Sequence, residues 1–321
     1  MLWSNSAWHT YCRCPRAWGY RYKSLLAPRE TAAPLADGTA WHDTSRAVLR
    51  GEEITLDGMG QYWFSHNLTR YPQGGRMFHE VCYYLTKAGI LTGPRKHGLI
   101  GVIDTFFDGA ELWIIERKTA SQLRGWQYYR AMTQYWSYVA VADEIERQTG
   151  RHVRIAYDEV RKAEPREPNG LICKKCHGDN AACPQCFGTN VTGISKTVVD
   201  TTTEIVLAWL DRYPHIKDTP EVVEYMDKIS SYGDRFNAWY EDAPEDREYV
   251  RERFKDFQKT MNKTRAITLP NYSDCGRCDY LELCWHQNTI LFQRQPAEWS
   301  TGVHSESIAE LIGVCKHARK H

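Results

Sequence analysis

Between residues 101 and 119 the chain reads Gly-Val-Ile-Asp-Thr-Phe-Phe-Asp-Gly-Ala-Glu-Leu-Trp-Ile-Ile-Glu-Arg-Lys-Thr. Two apolar, β-prone runs flank an Asp-Gly turn signal, which is the pattern of a β-hairpin. Asp104, Glu116 and Lys118 put charge where a strand should be apolar. Glu116 and Lys118 are two apart, so on a strand they share a face. A two-residue turn at Asp108-Gly109 would pair Asp104 with Trp113 and send it to the other face. A three-residue loop, Phe107-Asp108-Gly109 with Gly109 left-handed, pairs Asp104 with Leu112 and brings all three charges together. The second register is expected, because only it makes two carboxylates and an ammonium converge. Leu112 and Ile114 lie on the same face, which argues against a merely solvated charged face.

Elsewhere the apolar spacing is mostly helical. Residues 4–26 read as a helix or a broken helix, with Pro15 placed to start a new turn. Four basic residues there, Arg13, Arg16, Arg21 and Lys23, interleave with aromatics. That suits a DNA backbone or, equally, an amphipathic helix whose basic side chains snorkel to water. Asp37-Gly38 opens a helix carrying Trp41, His42 and Val48. Residues 76–89, with Glu80, read as another helix, and Arg124 to Ala142 as a strong one with aromatic periodicity. Residues 152–161 form a further strand. A Pro- and charge-rich break at 162–170 follows, then mostly helical spacing from Asp200 to Lys263 without a catalytic cluster. A short helix at Ser305–Lys316 closes the pattern. Strand, hairpin, helix and strand in this order make a mixed α/β sheet with helices around it.

The balance of 41 basic and 40 acidic residues means that a nucleic-acid site has to be a local patch. No run of about 18 apolar residues and no signal-peptide core occur, so a cytoplasmic protein without membrane contact is expected. Eleven cysteines in such a setting point to metal rather than disulfides. Cys173, Cys176, Cys183 and Cys186 form two C-x-x-C knuckles, a strong signal for tetrahedral Zn2+. A ribbon this short cannot bury a core, so metal must hold it together. Its shape resembles a zinc module of the DnaJ type with only four cysteines. Its role is open: contact with DNA, contact with protein, or a folded loop only. Cys275, Cys278 and Cys284 form a second set, one thiolate short of a closed site.

The motif G-x-I-D, eleven residues, then E-x-K-T resembles the PD-(D/E)xK nuclease core. Further elements, in order, are similar to RecB-like nucleases. These are Cys14-Pro15, Gly38-Thr-Ala-Trp-His42, Gln134-x-x-x-Tyr138 and the C-x2-C-x5-C of Cys275, Cys278 and Cys284. The resemblance implies a restriction-endonuclease-like fold in which Asp104, Glu116, His42 and the Arg117 carbonyl hold Mg2+ or Mn2+. Lys118 would position the hydrolytic water, and Gln134 and Tyr138 would support the lysine strand or the substrate. Some members of the superfamily add a glutamate, here Glu80, to the metal shell. Without that context His42 is a lone structural histidine, Glu80 a surface charge, and Gln134 with Tyr138 a surface and a core residue one turn apart. The AddB-type and CRISPR-associated relatives imply a 4Fe-4S cluster on Cys14, Cys275, Cys278 and Cys284, where zinc is the competing ion.

The expected organisation is a nuclease core over 1–164, a zinc ribbon insertion at 165–195, a helical continuation of the core at 196–270, an iron–sulfur segment at 271–290 closing onto Cys14, and a tail at 291–321. The expected function is a metal-dependent DNA exonuclease acting on DNA ends or single strands. Its setting would be recombination, repair, phage replication or CRISPR spacer processing, with proteins of those pathways as partners. A DNA-binding assembly factor with the nuclease fold and an iron–sulfur redox protein are the rival readings.

Overall fold

A computed structural model describes residues 2–29, 33–56, 60, 63–64, 66–93, 98–177, 183–263, 280, 283, 292–295 and 307–313. The chain begins with β1 (Leu2–Ser4), α1 (Asn5–Arg13) and α2 (Pro15–Trp18). Ser4 caps α1 by accepting from the Ala7 N–H at 3.0 Å. The helix breaks at Cys14, whose extended backbone (φ −155°) precedes Pro15, as a residue before proline favours. After a π turn at Gly19–Lys23 come β2 (Leu26–Pro28) and α3 (Ala33–Leu49).

Next is β3 (Arg76–Leu85), a strand where the apolar spacing of residues 76–89 reads as a helix. Its second half, Val81 to Leu85, is buried on both faces, so it is uniformly apolar and a helix-like apolar run carries no period of two. Then follow β4 (Leu91–Thr92), β5 (Gly98–Asp108), β6 (Leu112–Ala120), α4 (Trp126–Arg130), α5 (Thr133–Thr149) and β7 (Val153–Arg161). The helix expected over 124–142 is thus two helices, interrupted at Met132, whose backbone is extended. Gly150, left-handed at φ 69°, ends α5. The chain continues through β8 (Gly170–Ile172), β9 (Val191–Ile194), α6 (Thr203–Asp211), α7 (Pro220–Ser231), β10 (Asn237–Glu241), α8 (Pro244–Lys263), β11 (Phe292–Arg294) and α9 (Ile308–Leu311). Strand β10 lies in a region whose spacing is otherwise helical.

The central sheet runs β10-β7-β6-β5-β3-β4, with β1 parallel beside the start of β5. It is mixed: β6 and β7 are parallel, and the β3–β5, β5–β6 and β7–β10 pairs are antiparallel. The hairpin register pairs Asp108 with Leu112 and Thr105 with Ile115, so the turn is Gly109-Ala110-Glu111. The expected pairing of Asp104 with Leu112 is therefore wrong by four residues, because the turn lies two residues further along the chain. Its parity is right, and Asp104 falls opposite Glu116. Phe107 and Asp108 are taken into β5 because Phe107, 2 % exposed, is a core side chain and cannot sit in a turn.

Helices cover both faces. On one, α5 and α8 bury Leu112, Ile114, Ile155, Tyr138, Val141, Ile145, Val250 and Phe254 in the main core. On the other, α3 and the segment near residue 63 bury Trp41, Trp63, Tyr71, Trp113 and Ile115. The β8–β9 ribbon packs apart from this core. Its Ile194 joins Val206, Trp209, Ile216, Tyr225 and Ile229 of α6, α7 and the turn between them. Within β7, Asp158 is 2 % exposed and accepts from Trp63 Nε1 (2.7 Å), Tyr71 Oη (2.6 Å) and Asn67 Nδ2. Parallel pairing sets Arg117 beside it; burial raises the Asp158 pKa, against the opposing pull of its three donors and, least, of the Arg117 guanidinium.

Asp158→Ala would leave three buried donors without their acceptor and remove the carboxylate beside the buried Arg117, a loss of about 3–5 kcal/mol by analogy with other broken buried charge networks. Urea denaturation should show that loss, and a change well below about 1 kcal/mol would show that water replaces the carboxylate.

Candidate active site

The β5–β6 ladder ends at Thr105–Ile115, while β6 stays paired with β7 as far as Ala120. Beyond that last pair the two strands part, and Asp104 and Glu116 face each other at the fork. The Arg117 backbone N–H donates to Asp104 Oδ2 at 2.9 Å, which fixes that carboxylate across the gap. Glu116, 2 % exposed, is held from three sides. Lys118 Nζ and Gln134 Nε2 (2.7 Å) donate to its Oε1, and the Tyr138 hydroxyl donates to Oε2 at 2.5 Å. Gln134 Nε2 also donates to Tyr138 Oη at 3.0 Å, so the two residues, one turn apart on α5, act as a unit.

Gly101 allows this arrangement. A Cβ there would lie 2.2 Å from the Tyr83 ring. Tyr83 lies against Gly101, shares a 2.6 Å hydrogen bond with Ser137 of α5, accepts from Asn5 Nδ2 at 3.0 Å and meets Tyr138 edge-on at 5.9 Å. The helix carrying Gln134 and Tyr138 is thereby fixed over the fork.

From the opposite layer α3 brings His42, whose Nδ1 lies 3.4 Å from Asp104 Oδ2. Burial lowers the His42 pKa to about 4, so the imidazole is neutral near pH 7 and keeps a lone pair for a metal. Glu80 belongs to the same row. The pairs His79–Thr105 and Val81–Ile103 place it opposite Asp104, and its backbone is left-handed at φ 55°. Such a conformation costs a non-glycine residue about 1–3 kcal/mol. Its carboxylate points to Arg46 Nη1 at 2.6 Å. The Arg117 side chain, 1 % exposed, lies on the other face; its backbone N–H serves the fork carboxylate and its Nη2 reaches the Asp104 carbonyl oxygen at 3.5 Å.

The charges do not cancel. Burial raises the Asp104 pKa; burial and then Asp104 itself raise that of Glu116. Lys118 is raised as well, since Glu116 and Asp104 outweigh the burial that would lower it, so its amine is an ammonium at neutral pH. A buried carboxylate and a half-buried one thus share one firm cation. Oxygen ligands with surplus negative charge and a neutral imidazole are a donor set that fits a divalent ion. Among the described residues the tightest group of metal-type ligands lies elsewhere. The Sγ atoms of Cys173, Cys176, Cys183 and Cys186 are all within 4.8 Å of one another, with pairs at 3.9 and 3.5 Å. A tetrahedral zinc thiolate has sulfurs about 3.8 Å apart for Zn–S bonds of about 2.3 Å. The N–H groups of Cys186 and Gln185 lower the Cys183 pKa to about 6, which readies a thiolate. This group can hold a metal ion.

Cys275, Cys278 and Cys284 lie outside the described residues. Tyr280 and Leu283, which flank them in sequence, pack with buried Cys14 and Ala17, and Tyr280 Oη donates to Leu26 O at 2.7 Å. Cys12 is exposed. Arg46, Asp158 and Glu159 escape the reading of the sequence alone. Glu159 is buried and accepts from the Arg124 N–H (3.0 Å) and Tyr129 Oη (2.5 Å). Two adjacent acids inside the apolar strand Val153–Arg161 are the signal that could have found the second and third.

The raised Asp104 pKa sets a sign. Its neutral form is favoured in the fold, so its contribution to stability is present at acid pH and is lost as pH rises through the folded pKa. Near neutral pH, Asp104→Asn should therefore raise the Tm of the metal-free protein, and the gain should shrink on acidification toward the ordinary carboxylate range. Scanning calorimetry across pH checks this, and a Tm lowered by the substitution at neutral pH would contradict it.

No curated protein matches the chain significantly. The family model of the PD-(D/E)XK nuclease superfamily matches residues 2–285, a span that holds the fork, both helical layers and the four-cysteine group. That superfamily implies divalent-metal-dependent nuclease activity and a nucleic-acid substrate. The chain belongs to the PD-(D/E)XK nuclease superfamily.

Proposed function

We propose that the chain is a Mg2+- or Mn2+-dependent DNA exonuclease of the RecB-like type, acting on DNA ends or single strands. The observation that carries this reading is the fork itself: a buried, triply held Glu116 and its Lys118 facing Asp104. His42, Asp104, Glu116 and the Arg117 carbonyl would hold the ion, with Glu80 as a further oxygen ligand. The ion would neutralise the phosphodiester and lower the pKa of attacking water. Because Lys118 is an ammonium ion-paired to Glu116, it can donate to that water or to the phosphate but cannot accept a proton. Gln134 and Tyr138 keep Glu116 oriented, and with three acceptor positions used the carboxylate retains capacity for a ligand.

We read residues 1–164 and 196–270 as the nuclease core, and 165–195 as a ribbon whose four cysteines bind structural Zn2+. The segment 271–290 is read as carrying Cys275, Cys278 and Cys284 to Cys14 around a 4Fe-4S cluster. The packing of Tyr280 and Leu283 against Cys14, with Cys12 exposed, supports Cys14 as the fourth ligand. Among the described residues no helix is long and apolar enough to cross a membrane.

Digestion of end-labelled linear DNA beside closed circular DNA, with Mg2+ or Mn2+, tests the function. Progressive shortening of the linear substrate alone is expected. Cutting of circles would make the enzyme an endonuclease, and no cutting of either would remove the assignment. Lys118→Ala should slow cleavage by about 10²–10³-fold or more, as loss of one charge-stabilising donor does, while DNA binding persists. A wild-type rate would mean that the site is wrong.

Metal analysis should find about one zinc per chain bound at the tetrahedral ribbon site, and Cys173→Ser should release it. Replacing 173–186 by a short linker should leave nuclease activity, since the ribbon packs on α6 and α7 rather than on the main core. Loss of the core fold would overturn that separability.

A further inference from the structure

One face of α3 carries His42 and Arg46, four residues apart, and Arg50, the first residue past the helix, follows at the same spacing with its N–H bonded to the Arg46 carbonyl oxygen at 3.0 Å. His42 reaches Asp104 at the fork. One turn on, the Arg46 guanidinium spans two carboxylates: Nη1 lies 2.6 Å from Glu80 Oε1 and Nη2 2.5 Å from Asp43 Oδ1. Both carboxylates are more than half exposed, at 52 % and 58 %, whereas the Arg46 side chain is 21 % exposed. A further turn on, Arg50 is exposed.

A sheltered guanidinium with two exposed anionic oxygens on its fork has the geometry of phosphate recognition. Exposed ion pairs of this kind are weak and exchangeable. Glu80 is also the left-handed residue of β3, opposite Asp104 in the ladder, so its side chain stands between Arg46 and the fork.

We propose that Arg46 contacts the phosphodiester backbone of the nucleic acid and that Glu80 holds its place until substrate and cation arrive. This rests on the nuclease reading above. A phosphate oxygen takes the guanidinium edge that Glu80 leaves, and Glu80, released, turns toward the cation at the fork. Cation and DNA then assist each other, since each removes Glu80 from the other's way, and the coupling is reciprocal. Arg50 continues the track one turn further from the fork.

The test measures binding of a fluorescein-labelled single-stranded oligonucleotide in EDTA and in Mg2+, in a Lys118→Ala background that spares the probe. Added Mg2+ should tighten binding. Arg46→Ala should weaken binding in Mg2+ about tenfold and reduce the slope of log affinity against log salt by about 1, as loss of one phosphate contact does. Arg46→Lys should restore the salt slope but not the full affinity, because it keeps the charge and loses the fork. Glu80→Gln should tighten binding in EDTA and shrink the gain from Mg2+. Arg46→Ala with the affinity and salt slope of its parent would overturn the proposal, as would Glu80→Gln binding more weakly in EDTA. Cleavage by the wild-type chain is scored separately. A chain that cuts DNA while Arg46→Ala binds as its parent does overturns the exchange alone; a chain that neither cuts nor binds overturns both readings.

Discussion

Holding two carboxylates at one fork, one buried and one half-buried, is the constraint on which the surrounding structure depends. Water would hydrate Asp104 and Glu116 freely; the fold gives them one ammonium, a set of oriented donors and a neutral imidazole instead. The donors come from two elements: the Arg117 N–H and Lys118 from β6, Gln134 and Tyr138 from α5. The cost appears in the raised pKa of both acids, which the desolvation at this site imposes. A site stabilised for its own sake would have paired them more fully. The surplus negative charge is what a bound cation relieves, so the same imbalance that weakens the empty fold favours the loaded one.

The hairpin, its three charges and the α5 pair could be read from the sequence because their signals are local: period two on the strands, spacing four on the helix. Side-chain parity was legible, and the register was not. Both registers on Asp104's face bury apolar residues, and only packing of Phe107 against the second layer selects the turn at Gly109-Ala110-Glu111. Strand β3 was unreadable for a related reason. Val81 to Leu85 is covered on both faces, so the alternation that marks a strand is gone. The sequence spacing therefore puts Glu80 on a helix, whereas its position in the row with Asp104 depends on the strand. Arg46 carries no signal, since an arginine three residues after an aspartate on a helix is ordinary until β3 delivers Glu80 to it.

The two cysteine groups stand in different relations to the core. Knuckle spacing alone brings four thiols together at 173–186, a contiguous stretch, and the satellite cluster of α6 and α7 gives it a base. The expected join between the N-terminal helices and the far end of the chain has a counterpart in the described residues. Tyr280 and Leu283 pack on Cys14 and Ala17, and β11 pairs with β2. Contacts so distant in sequence close a long loop, and any covalent or metal link made there would act mainly on the unfolded chain.

Strand β6 shows how a charged hairpin can sit inside a core. Its alternate residues face opposite layers, so Glu116 and Lys118 engage α5 and the fork, while Arg117 between them lies on the face of Trp63, Tyr71 and Asp158. Placing Glu116 correctly requires that the strand not rotate about its axis, and apolar contacts resist rotation weakly because they lack direction. Arg117 supplies direction on the far face: its side chain lies beside Asp158, and its Nη2 reaches the Asp104 carbonyl oxygen at 3.5 Å. Its N–H holds Asp104 Oδ2 on the near side. One residue thus couples both strands of the fork to β7. The middle position of the E-x-K motif, whose side chain points away from the carboxylates, is where the second layer reaches the site.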